Sequence, residues 1–81
     1  MQQTLTSIVQ STVLNAQRSR EIAETIGKPY PTMMRELNPF DSSAKLGIET
    51  LIQIIKITGD ASPLEFMAES LGYRIEKLEI A

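Results

Sequence analysis

Three helix breakers, Gly27, Pro29 and Pro31, fall within five residues of the stretch AETIGKPYPTMMRELNP, so no regular element runs through this part of the chain. Helical patterns flank them on both sides. Ile22, Ala23 and Ile26 recur at three- and four-residue spacing before the glycine, and Met33 and Leu37 sit four apart after the prolines. A glycine just past the last periodic residue takes the left-handed conformation that ends a helix. Pro31 suits the first position of the next helix, where its missing N–H costs nothing. The reading is helix, sharp corner, helix, over residues 20–26 and 31–38. Ser19 is placed as the N-cap of the former. Pro39 stops the latter, because a residue before proline is driven out of the α region.

The rest of the chain repeats this short-helix grammar. Leu5, Ile8, Val9, Thr12, Val13 and Ala16 predict a first helix over residues 4–16. After the polar loop FDSSAKLG, the run IETLIQIIKIT predicts a largely buried helix over residues 48–58, with 48, 51, 52 and 55 as its inward stripe and Gly59 as its stop. SPLE then announces a fifth helix: Ser62 as N-cap, Pro63 at the first helical position, Glu65 reaching back to complete a capping box. Leu64, Met67, Ala68 and Leu71 form its expected inward stripe, and Gly72 ends it. The expectation is an all-α domain of five short helices over residues 1–72, with an extended tail over residues 73–81.

At 81 residues the chain holds one small core, near the size at which partner chains begin to matter. It has neither His nor Cys, which argues against transition-metal sites, cofactor ligation through those groups and triad-type nucleophilic catalysis. No carboxylate pair is spaced for acid–base work; Asp41, Glu49 and Asp60 read as loop and cap chemistry. Neither an enzyme nor a small-molecule substrate is expected. No apolar run is long enough to span a membrane, and with no cysteine a cytoplasmic setting is the simpler expectation. Net charge is −2, but residues 1–45 carry five basic against four acidic groups and residues 46–81 three against six. The positive groups gather around the corner.

The corner meets the physical needs of a helix-turn-helix motif. Ala23 is small enough for the second helix to cross closely, Gly27 opens the turn, and Met33 and Leu37 pin the second helix to the core. Tyr30, Thr32, Met34, Arg35 and Asn38 are then turned outward, as are the side chains that enter a DNA major groove in such motifs. A plain helical corner with no DNA role satisfies the same spacing. The residue after the glycine is usually apolar, and here it is Lys28.

From Arg20 to about Tyr73 the chain resembles the phage regulatory protein CII family, through IAETIG, MMRELNP, KLGIETLIQIIKITGD and LEFMAESLGY in that order. The resemblance implies a small helical DNA-binding regulator with a lambda-repressor-like fold, acting in the lysogeny decision or in prophage transcription. It implies that residues 31–38 form the reading helix. Thr32, Met34 and Arg35 are then the candidates for base contact, and Lys28 and Tyr30 those for backbone contact. Asn38 reads as either a base contact or a C-terminal cap. The chain departs from the family's pattern in placing Pro29 and Pro31 around Tyr30, where a looser Ser-Pro-type turn is expected.

The expected partner is double-stranded DNA. The alternative is a protein-interaction module, of anti-repressor or antitoxin-like kind, using Tyr30, Met34 and Phe40. A homodimer or higher oligomer is also expected, because one short reading helix covers few base pairs. Ile54 and Ile57, off the expected stripe, and the apolar tail residues Tyr73, Ile75, Leu78 and Ile80 are the proposed contacts.

Overall fold

The computed structural model describes residues 4–79, and among these the chain forms five α-helices and no strand. They are α1 (Leu5–Asn15), α2 (Ser19–Ile26), α3 (Tyr30–Glu36), α4 (Ile48–Thr58) and α5 (Ser62–Ser70). Ile80 of the tail lies outside the described residues. Residues 73–79 carry no regular structure, and their side chains are exposed.

Thr4 and Ser7 start α1 reciprocally. Thr4 Oγ1 accepts from the Ser7 N–H at 3.2 Å, and Ser7 Oγ accepts from the Thr4 N–H at 3.0 Å. The helix buries Val9, Thr12 and Val13 on the expected face. Thr12 Oγ1 donates to the Ile8 carbonyl at 3.0 Å, which satisfies its hydroxyl inside the core. Against this helix pack α2, α4 and α5; α3 and α4 in turn pack on α2. The common core is Val9, Val13, Ile22, Ala23, Met33, Leu37, Leu51 and Ile54.

Two helix starts differ from the sequence reading. Ser19 is the first helical residue of α2, not its cap; Arg18 holds the cap position and makes no side-chain capping bond. Its guanidinium instead donates to the Ile57 carbonyl at 2.8 Å, tying the start of α2 to the end of α4. In α5 the cap position is Ala61, with Ser62 and Pro63 in the first turn and no side-chain bond from Glu65. Asp60 takes over the capping role one residue further upstream. Its Oδ1 accepts from the Ser62 N–H at 2.9 Å and from the Ser62 hydroxyl at 2.6 Å. These two bonds hold the Asp60 carboxyl below its ordinary value.

Asp60→Ala is expected to destabilise the fold by about 0.5–2 kcal/mol, the range for loss of a helix-start acceptor. Because the folded state lowers this carboxyl's pKa, its contribution is full above the unfolded carboxylate value. It fades as pH falls through the lowered one. Melting curves of both proteins at neutral and acid pH check this: the gap between them should narrow on acidification.

The largest departure is the face that α4 presents to the core. Thr50, Leu51 and Ile54 are buried, whereas Ile48 is 76 % exposed and Ile52 47 % exposed. The expected 48/51/52/55 stripe is corrected to one centred on Leu51 and Ile54, and Ile54 serves the monomer's own core. Isoleucine occupies so many positions of this helix that three- and four-residue spacing can be drawn through either face. In α5, likewise, Pro63 is buried while Leu64 and Leu71 of the expected stripe stay exposed.

The fold measures 35 × 34 × 20 Å, a thin slab. The outer face of α4 meets solvent over a groove of about 910 Å³ that Leu5, Leu51, Ile52, Ile55, Leu64 and Met67 help to line. No helix among the described residues is long and apolar enough to cross a membrane.

Candidate nucleic-acid interface

The corner between α2 and α3 is built from backbone. Gly27 adopts φ +85°, ψ 27°, a left-handed conformation open to glycine without strain. The Lys28 N–H donates to the Ala23 carbonyl at 3.0 Å and the Gly27 N–H to the Glu24 carbonyl at 3.1 Å, which closes the last turn of α2. Ala23 is buried, as the close crossing needs. Pro29 follows in extended conformation at φ −57°, ψ 137° and caps α3.

Helix α3 starts at Tyr30, one residue before the expected position, with Pro31 second in the helix and still within the first turn, where no N–H is needed. It ends at Glu36, so Leu37 and Asn38 lie beyond it. Asn38 is a turn residue: its Oδ1 accepts from the Phe40 N–H at 2.9 Å. Met33 and Leu37 are fully buried and anchor the underside of α3.

The expected outward residues divide into three kinds. Thr32 and Arg35 are exposed. Tyr30 and Met34 are half-buried, each resting an apolar side against the core. Lys28 reaches across the corner to Glu36, Nζ to Oε1 at 2.6 Å. Phe40, named with Tyr30 and Met34 for protein contact, is 85 % exposed.

Three cations surround α3, and each has a local partner. Lys28 is paired with Glu36. Arg20 stacks on the Tyr30 ring, its guanidinium carbon 4.2 Å from the ring centre. Arg35 donates from Nε to Asp41 at 3.3 Å and from Nη2 to the Ser43 hydroxyl at 2.9 Å. Asp41 is held below its ordinary carboxylate value, first by the Ser43 hydroxyl, then by the Ser43 N–H and then by Arg35. The patch is therefore only mildly basic, and its side chains are pre-positioned.

Sequence reasoning missed all three pairings, two of which span the corner. Arg20 and Tyr30 are ten positions apart, and Lys28 and Glu36 eight, with the corner between the partners. Helical i,i+4 rules cannot see across a turn, so no local signal pointed to either. Among the described residues no three His, Cys, Asp or Glu side chains converge on a point where a metal could sit. What the arrangement offers chemically is the Arg35 guanidinium and the Thr32 hydroxyl exposed on α3, and on α2 the exposed Arg20 guanidinium backed by the Tyr30 ring.

In comparisons with known proteins, the family model for phage regulatory protein CII (CP76) matches residues 3–79. No curated protein and no solved structure matches the chain.

Proposed function

This chain belongs to the phage regulatory protein CII family, and on that premise we propose that it is a sequence-specific DNA-binding transcription regulator that reads the major groove with α3. The observation that carries the proposal is the corner itself. A left-handed Gly27 over a buried Ala23 sets α3 on two buried anchors, Met33 and Leu37, with Thr32 and Arg35 left facing outward. Exposed polar side chains on a helix anchored this way, Thr32 in its first turn and Arg35 in its last, support the reading of α3 as the recognition element of a helix-turn-helix. In this reading Arg35 and Thr32 meet base edges, with Met34 beside them, and Lys28 and Tyr30 meet the sugar–phosphate backbone. Asn38 acts at the edge of the contact. The regulator works as a homodimer, because a seven-residue helix spans few base pairs and a chain of net charge −2 gains little non-specific attraction.

Arg35→Ala and Lys28→Ala are expected to differ in kind. Loss of a guanine-reading arginine costs toward the lower end of roughly 1–3 kcal/mol of discrimination, since Arg35 must first give up Asp41. Loss of a phosphate contact weakens every duplex alike and lowers the salt slope by about one. A DNA site selected from a random pool and a scrambled copy of it, titrated at several salt concentrations, separate the two effects. If Arg35→Ala leaves both affinities unchanged, Arg35 is not a reader and the protein-interaction alternative gains. The exposed Phe40 then favours a protein-interaction role.

A further inference from the structure

We propose that the outer face of α4 is the surface through which two copies of this chain pair, antiparallel, about a two-fold axis passing beside Ile52. The proposal rests on the homodimer expected above and names its interface; its test is made without DNA, so that failure to pair and failure to bind DNA are read separately.

The inner face of α4 is already committed, since Thr50, Leu51 and Ile54 are buried. The outer face carries Ile48, 76 % exposed, and Ile52, 47 % exposed, beside the open apolar groove. Exposed isoleucines beside an apolar groove form a surface that a partner can cover. The charges identify which one. Glu49 and Lys56 are both exposed, and neither is in an ion pair among the described residues. They stand seven residues apart, two helical turns and about 10 Å, on the same side of α4. Ile52 lies between them.

Such an arrangement is complementary to itself when reversed. In an antiparallel pair, Glu49 faces Lys56 of the partner subunit, and Lys56 faces Glu49 of the partner subunit, while the two Ile52 side chains meet at the axis. A two-fold interface requires this self-matching, and a foreign partner does not. The tail competes poorly for the groove: the segment 73–79 alternates basic and acidic side chains, and its apolar residues stand in solvent.

Sedimentation equilibrium on the full chain, without DNA, tests the proposal. A dimer is expected at micromolar concentration. Ile52→Asp should leave a folded monomer. Glu49→Lys and Lys56→Glu each place like charges in both symmetric pairs and should weaken association about tenfold or more. The double variant Glu49→Lys/Lys56→Glu restores opposite charges and should return the dissociation constant to within about threefold of the original. Cooperative melting of each variant shows that the fold is kept. A monomer at every concentration overturns the proposal. So does a dimer indifferent to all four variants, or one lost on Ile75→Ser/Leu78→Ser but untouched by Glu49→Lys, which would make the tail the occupant.

Discussion

Ile54→Ala is expected to destabilise the domain by about 2–5 kcal/mol, the range for truncating a fully buried isoleucine whose site cannot collapse. Ile54 is 0 % exposed at the centre of the core shared by α1, α2, α3 and α4. A domain of this size has few such residues and little stability to lose. The melting midpoint should fall by more than about 10 °C at fixed protein concentration. Ile52→Ala, two positions away and half-exposed in the monomer, should move it far less at a protein concentration too low for pairing. The pair distinguishes the two faces of α4. Equal shifts would mean that the buried face runs elsewhere, along the 48/52/55 line.

The second large effect is at Gly27. Its φ of +85° lies where a β-branched residue is a severe outlier, so Gly27→Val should cost toward the upper end of roughly 1–3 kcal/mol. Nothing lies within 4 Å of where a Cβ would sit. The penalty is therefore conformational rather than steric, and this predicts an order. Asn tolerates left-handed backbone better than Ala, and Ala better than Val. Chemical denaturation of the three variants should reproduce that ranking. A ranking by side-chain volume instead, with Ala milder than Asn, would place the cause in crowding at the corner.

The corner was legible in the sequence because its constraints are local. A glycine ending one periodic stretch and a proline opening the next leave one economical backbone path, and the structure takes it to within one residue. The burial of Ala23, Met33 and Leu37 follows from that path. Face selection in α4 was not legible. With isoleucine or leucine at six of its eleven positions, hydrophobicity alone does not orient it; the helices it packs against do. The start of α5 slipped by one residue for a related reason. Asp60 and Ser62 are both good acceptors, and the choice between them depends on how the chain leaves Gly59. In the candidate site, the exposure of Thr32 and Arg35 could be read ahead, whereas the partners of Lys28, Arg20 and Arg35 lie across turns and became visible only in three dimensions.

Helix α3 keeps its folding residues and its outward residues apart. Met33 and Leu37 are sealed in the core, while Thr32 is exposed and Arg35 bonds to the neighbouring loop. Substitution at 32 or 35 therefore leaves the free energy of folding nearly where it was. If α3 reads DNA as proposed, operator preference in a lineage of such regulators is free to drift by single changes at these two positions, with no compensating repair elsewhere. Met34 does not share that freedom, because half of its side chain is held by the core. Divergence among related prophages should then concentrate at 32 and 35 and spare 33, 34 and 37.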